Sequence, residues 1–326
     1  MERTVRQAFR KPFTIMTKQS MRAKQRKQTM KLIKRAMPLY LMMLPGILFF
    51  LIFKYGPMFG LSIAFMSYDP FAGFRGSEWV GLANFERLFT ERIFVDLLWN
   101  TLVLSFYDII FYFPAPIILA LLLNEVRVKM FKSTVQTILY TPHFVSWVVI
   151  VGITALLFSS QTGVVNQMLM SYGFDRVELM TEPEFFRPVW VLHNIWNGMG
   201  WDAIIYLAAI SAINPQLYEA ARVDGATRFQ MMLHITIPSI LYLIVIMFIL
   251  RMAGFMDLSF THIYLLQNPL NIGVSDVFDT YVYRAGILGG EYSYTSAVGL
   301  FKSVVGLVMV ICSNYIAKKM GKEGVY

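Results

Sequence analysis

Long apolar runs separated by short charged ones dominate this chain. A helix that crosses the hydrocarbon of a bilayer needs about 20 mostly apolar residues. Six segments reach that length: 39–65, 97–123, 135–158, 189–213, 238–258 and 296–317. The first is interrupted by Pro45, Lys54 and Pro57, and the fourth is the most polar. This pattern predicts an all-α membrane protein with six transmembrane helices. No internal repeat or low-complexity stretch is visible.

Composition supports the same class. Apolar residues make up 56% of 326 and charged residues only 15%, against about 25% charged in a soluble domain. Cys312 is the single cysteine, which excludes an internal disulfide and a thiolate metal cluster. The four histidines, His143, His193, His234 and His262, lack metal-ligand spacing. Neither an HExxH motif nor a GxxxxGK[ST] phosphate loop occurs. No metal and no cofactor is therefore expected in this chain.

Charge sets the expected orientation. Twelve of the 29 basic residues lie between Arg3 and Arg35, where Glu2 is the one neighbouring acid. Such a tail suits nucleic acid or a cytoplasmic anchor beside membrane lipid. The apolar span that follows favours the anchor, so no nucleic-acid partner is expected. No small-residue cleavage site is evident, so no signal peptide is expected. Arg127, Lys129 and Lys132 follow the second span, and Lys318, Lys319 and Lys322 follow the sixth. The loop after the third is acidic, with Asp175, Glu178, Glu182 and Glu184. Together these predict both termini inside the cell, N-in and C-in.

That orientation puts residues 214–237 in the cytoplasm. Asn214-Pro215 opens a short helix, Gly225 permits a reversal, and a second helix is expected from 227 to 237, ended by Pro238. Ala220, Ala221 and Ala226 offer little bulk, so a partner can approach the backbone. Glu219 and Asp224 offer carboxylates to a partner arginine. An ordinary amphipathic helix capping the bundle fits these residues equally well.

The run Glu219-Ala220-Ala221, Asp224-Gly225-Ala226, Phe229, Ile235 and Ile237-Pro238 resembles the EAA motif of ABC-importer permeases. Trp79-Val80-Gly81-Leu82, Asn84-Phe85, Asn100-Thr101 and Ile195-Trp196 resemble the carbohydrate-uptake branch. Leu44-Pro45-Gly46, Phe53-Lys54-Tyr55, Tyr140-Thr141-Pro142-His143-Phe144 and Tyr281-Val282-Tyr283-Arg284 are similar to the polysaccharide-oligomer permeases. Those include LplB-type proteins and the larger permease of bacterial alginate importers. The resemblance implies a type I importer permease of the MetI-like fold in a bacterial cytoplasmic (inner) membrane. It implies a second permease as heterodimer partner, two ATPase subunits that bind ATP and Mg, and an extracytoplasmic sugar-binding protein. Glu219, Ala220, Ala221, Asp224, Gly225, Ala226 and Pro238 would then form the ATPase-docking loop. The expected divisions are a basic tail at 1–35, a first helix and outer loop at 36–95, a permease core at 96–314 and a C-terminal tail at 315–326.

Polar residues inside spans are the candidates for a transport path, because lipid excludes them. They are Asn100 and Asp108, then Asn194, Asn197 and Asp202, then Arg251 and Asp257, with Trp147 offering a ring face. Tyr107, Tyr112 and Trp196 extend the set. Arg251 needs a counter-charge. Asp257, six residues on, lies on a different helical face, which leaves Asp108 or Asp202 across the bundle. A uronate carboxylate of an acidic oligosaccharide is the alternative partner. Tyr281, Tyr283, Tyr292 and Tyr294 suggest an interfacial aromatic belt. An ion-gradient-driven carrier is a rival class, but it gives the 214–237 loop no role. A membrane hydrolase is another, but Glu182 and Glu184 sit in an acidic loop without a nucleophile.

Overall fold

A computed structural model describes residues 18–319. The basic residues before Lys18, and Lys322 of the expected C-terminal tail, lie outside that range. The chain separates into two units, Met1–Ser62 and Ile63–Tyr326. In the first, α1 (Lys18–Phe50) runs through a π turn at Leu51–Tyr55 into one further turn, Gly56–Met58.

The second unit opens with a small antiparallel pair, β1 (Met66–Ser67) and β2 (Glu78–Trp79), in register Met66 to Trp79. Then come α2 (Ala83–Thr90) and α3 (Arg92–Tyr107), a π turn at Asp108–Tyr112, α4 (Pro114–Glu125) and α5 (Lys129–Tyr140). α6 (Trp147–Leu157) and α7 (Pro183–Ser211) follow, then the short α8 (Pro215–Val223). α9 (Ile237–Ala253), α10 (Phe260–Leu266) and α11 (Tyr292–Lys319) come last, and a further eight-residue helix, Val164–Ser171, lies between α6 and α7.

Among the described residues, four helical runs are long and apolar enough to cross a membrane: Arg35–Phe65, Arg92–Glu125, Arg228–Ala253 and Tyr292–Lys319. In the last three, 28% or less of the apolar window is buried within the chain, so most of that surface is left for lipid or another subunit. Lys129–Phe144 and Trp147–Leu157 make a fifth if taken as one span, bent by 100° at the break. α7 spans 29 residues, about 43 Å at 1.5 Å per residue. It carries Glu184, Arg187, His193, Asn194, Asn197 and Asp202, too many polar groups to rank with the apolar runs.

Three expectations are corrected. The continuous helix expected over 135–158 is broken, because Val145 and Ser146 are extended after the turn that holds Pro142. Asn197 stabilises the bend by donating from Nδ2 to the Pro142 carbonyl at 2.8 Å, beside the Val145 amide that the same carbonyl accepts at 3.0 Å. Pro238, expected to end a helix, sits inside one unbroken run, Arg228–Ala253. A π turn at Met232–Thr236 precedes it, and the Ile237 amide donates five residues back to Met232. This wider turn accommodates the proline ring without a break. Tyr281 and Tyr294, expected in an interfacial belt, are buried in the core with Leu88, Phe94, Met256 and Val298. The Tyr294 hydroxyl donates to Glu91 at 2.9 Å, which offsets its burial.

Among the described residues the core has three apolar clusters. One joins α3, the end of α9 and α11, another joins α6, α7 and α10, and the third joins α4, α7 and the start of α9. α7 belongs to two of them and crosses α5 closely at Gly200. A Cβ there would run into the Leu139 backbone, which has no rotamer to yield. Gly200→Ala should therefore cost about 1–3 kcal/mol by overpacking, read as a lower melting temperature of the detergent-purified protein. Gly152→Ala, whose methyl meets no atom within 4 Å, should melt with the parent. Equal melting of all three would show that α5 and α7 do not cross at this distance.

Candidate functional site

The spans enclose a cavity of about 420 Å³. Asp108, Trp147, Asn194, Asn197, Asp202, Arg251 and Asp257 all line it. Asn100 does not. It is buried at 3% exposure behind α3 and donates to the carbonyls of Gly273 and Asp276 at 2.9 and 3.1 Å. Its environment is that of a structural tie between α3 and the segment before α11. Trp196 lies apart from this cavity, in a shallow recess with Ile150 and Thr154.

Arg251, near the end of α9, organises the wall. Its Nε donates to Asp108 Oδ2 at 2.6 Å, and its Nη2 makes a second, short bond to Asp108 Oδ1. The guanidinium lies over the Tyr112 ring, 4.8 Å from its centroid. Tyr112 in turn donates from its hydroxyl to Asp202 Oδ2 at 2.6 Å. A fork-to-carboxylate pair backed by a ring is the arrangement in which Arg tolerates desolvation best. Asp108 occupies one edge of the guanidinium and leaves Nη1 on the other. The side chain keeps 42% exposure, so Nη1 is a donor available to the cavity.

Asp257, expected on the same helix as Arg251, lies in the loop after α9 ends at Ala253, and it is that loop that carries it away from Arg251. Its Oδ1 lies 3.0 Å from Nζ of Lys302 on α11. Lys302 is only 9% exposed and also pairs with Asp279. Sequence reading missed this lysine, although a single cation inside the apolar 296–317 run was the available signal. His143 was also missed. Its ring stacks on Trp201 at 4.5 Å and lines the cavity from the α5–α6 bend.

Trp147 presents one face to the cavity region and the other to His262, 3.9 Å away and nearly parallel. His262 Nε2 lies 3.1 Å from His193 Nδ1. Burial, reinforced by His193, pushes the His262 pKa down to about 3, so the imidazole is neutral at physiological pH. The Trp147 stack is therefore one of neutral rings. Among the described residues, no group of three or more His, Cys, Asp or Glu side chains is placed to hold a metal ion.

The 214–237 segment forms a second feature. Asn214 caps α8 by accepting from the Gln216 amide at 3.0 Å, with Pro215 in the first turn. At the other end, the Ala226 amide donates to Ala221 at 2.9 Å and the Gly225 amide to Arg222 at 3.1 Å. This is a full Schellman closure, and it needs the positive φ of +79° that Gly225 adopts. Thr227 and Gln230 then cap the next helix reciprocally. The Tyr218 hydroxyl lies 2.9 Å from Thr236 Oγ1 and clips α8 to the following run. Glu219, Ala220, Asp224, Gly225 and Pro238 are exposed, and Ala221 and Ala226 are half-buried. Beside them Val223 and Phe229 are 88% and 65% exposed, an apolar surface left uncovered by this chain.

Comparison with known proteins places this geometry. A polygalacturonan/rhamnogalacturonan transport system permease protein, YteP of Bacillus subtilis (strain 168), is 50% identical over 303 residues, covering 93% of this chain and 94% of its own length. Protein LplB of the same organism is 49% identical over 297 residues, covering 91% and 93%. A chain in the crystal structure of a bacterial alginate ABC transporter, in complex with an alginate pentasaccharide-bound periplasmic protein, superposes with a TM-score of 0.82. It is 44% identical and covers 90% of this chain and 99% of that one. A second structure, of a bacterial ABC transporter involved in the import of the acidic polysaccharide alginate, gives 0.83 at 44% identity, covering 90% and 100%. The family model for the inner membrane component of binding-protein-dependent transport systems matches residues 112–322. The chain belongs to that family: it is a multi-pass inner-membrane permease of the MetI-like fold, a transport subunit and not a catalytic enzyme.

Proposed function

We propose that this chain is the permease half of an ATP-driven, binding-protein-dependent importer of oligosaccharides, acidic ones such as uronate oligomers among them. One observation carries the reading. The run Arg228–Ala253 is a continuous helix with the exposed 214–227 loop at one end and Arg251 in the cavity wall near the other. Its 26 residues make a rod of about 39 Å. A push on the loop is thereby delivered to the Arg251–Asp108 pair. Glu219, Ala220, Ala221, Asp224, Gly225 and Ala226 would meet the ATPase there, with Pro238 keeping the rod joined to the loop. ATP and Mg would be held by that separate subunit.

The wider arrangement follows from this reading. Six spans with both termini in the cytoplasm would put 214–237 beside two ATPase copies and the acidic 175–184 segment outside. A second permease would close the cavity from the other side, and a sugar-binding protein would load it. Residues 96–314 would be the core, with 1–35, 36–95 and 315–326 as tail, entry helix with outer loop, and C-terminal tail. The wall suits a hydroxyl-rich substrate. Asn194 makes no hydrogen bond to another described residue, Arg251 has Nη1 free, and Trp147 and His143 supply ring faces. A substrate carboxylate would be met by that open edge of Arg251, with Asp108 holding the other. The named relatives of polygalacturonan and alginate transport support this substrate class.

Reconstitution of the whole complex in proteoliposomes tests the central claim. Uptake of uronate oligomers should require ATP on the ATPase side and the binding protein on the other. Uptake driven by a proton or sodium gradient alone would refute it.

Gly225→Val should strain the loop by about 1–2 kcal/mol and cut coupled import by roughly tenfold while the complex still assembles. Gly225→Asn, which tolerates a positive φ, should retain most of the activity. Full import with coupled hydrolysis in the valine variant would remove the loop from the mechanism.

Arg251→Gln should lower transport of acidic oligomers by about tenfold or more, because it removes a charged donor and leaves Asp108 unpaired; Arg251→Gln combined with Asp108→Asn, which strands no charge, should still lose the acidic oligomers while keeping basal ATP hydrolysis. An unchanged transport rate would exclude Arg251 from the path.

A further inference from the structure

A second cavity lies outside the transport path. It is a groove of about 650 Å³ between Tyr107 and Phe111 on one side and Val191 and Leu192 of α7 on the other. Its walls are apolar and open outward, with Leu192 63% and Phe111 51% exposed. Arg187 and Glu184, one turn apart on α7, lie in the same groove.

Arg187 differs from the other cations of the bundle. Arg251 and Arg284 each pair with an aspartate, and Lys302 pairs with two. For Arg187, no carboxylate among the described residues lies within ion-pair distance. Its single hydrogen bond runs from Nη2 to Asn100 Oδ1 at 3.2 Å, and Asn100 is itself fixed by two backbone carbonyls. Nε is buried without a partner. An uncompensated guanidinium in an apolar wall is costly and calls for an anion. Glu184 is exposed and has no ion-pair partner among the described residues, so its carboxylate is free to meet a cation.

The groove thus offers a fixed positive group, a negative group one turn away, and an apolar trough leading from them. We propose that it binds a phospholipid of the phosphatidylethanolamine class. The phosphate would sit on Arg187, where planar donors suit its oxygens. The ammonium would sit on Glu184, and an acyl chain would lie along Tyr107, Phe111, Val191 and Leu192. A choline headgroup cannot donate a hydrogen bond to Glu184, and a glycerol headgroup brings no cation, so both bind less well. In the bilayer such a lipid neutralises Arg187 and seals the seam between α3 and α7.

Native mass spectrometry of the detergent-extracted complex, titrated with phosphatidylethanolamine or phosphatidylglycerol, reads this directly. The parent should retain phosphatidylethanolamine in preference. Arg187→Gln should lose that retention by about tenfold, as expected for loss of a charged hydrogen bond, and Arg187→Lys should recover part of it. Glu184→Gln should keep a bound lipid but no longer discriminate between the two headgroups, which tests the site even if Arg187→Gln fails to assemble. No retained lipid in the parent, or equal retention in Arg187→Gln and the parent, would overturn the proposal. So would a Leu192→Cys cross-link to another subunit, which would mean that protein covers the groove.

Discussion

The bidentate pair between Arg251 and Asp108 is the contact on which the interior is arranged. A guanidinium inside an apolar bundle is tolerated only where a carboxylate meets it. Asp108 opens the π turn of the second apolar run, and Arg251 stands near the end of α9. Their bond therefore fixes two helices against each other. Tyr112, from the same π turn, lies under the guanidinium and passes the tie to Asp202 on α7. Three helices are pinned by one chain of charge, ring and hydroxyl, and the cavity is the space this chain borders. Removal of either charge would leave the other stranded, so the pair is an element of the architecture as well as of the wall.

The helices accommodate proline by a repeated device. π turns at 51–55, 108–112 and 232–236 each end two residues before a proline: Pro57, Pro114 and Pro238. In each, the amide just ahead of the proline donates to a carbonyl five residues back. A proline removes one backbone donor and crowds the carbonyl four residues earlier. The wider turn relocates the preceding bond and absorbs both effects, so the helix continues. For the run from Arg228 this continuity is decisive, because a true break at Pro238 would leave the loop and Arg251 mechanically separate.

How much of this was legible in the sequence depends on the kind of signal. The apolar runs and the need for an acid opposite Arg251 could be read, since lipid permits few alternatives. That Asp108 would fill the role and Asp202 would bond to Tyr112 could not, because helix rotation is set by packing and not by spacing. The bend at Ser146 was missed because Pro142 was weighed as part of a motif and not as a helix terminator. Lys302 went unread although its composition signal was plain, and its two aspartates lie 45 and 23 positions away, beyond any helical period. The tyrosines near residues 281 and 294 were read as interfacial. A hydroxyl reaching Glu91 makes burial acceptable, and that acid is some 200 residues distant in sequence.

The charge balance of the wall narrows how a sugar can be held. Three carboxylates face the cavity region, and each already has a partner within the chain: Asp108 with Arg251, Asp202 with Tyr112, and Asp257 with Lys302. Asp108 has both oxygens engaged by Arg251, whereas Asp257 is 75% exposed and keeps one oxygen open to the cavity. Open beside it are one edge of a guanidinium, an asparagine amide and the aromatic faces. Such a set grips hydroxyls weakly and at many points, which suits a path that must release its cargo. Arg251 is half-occupied, and because it shares one continuous helix with the exposed loop, its distance from Asp202 on α7 is the quantity that a movement of that loop would change.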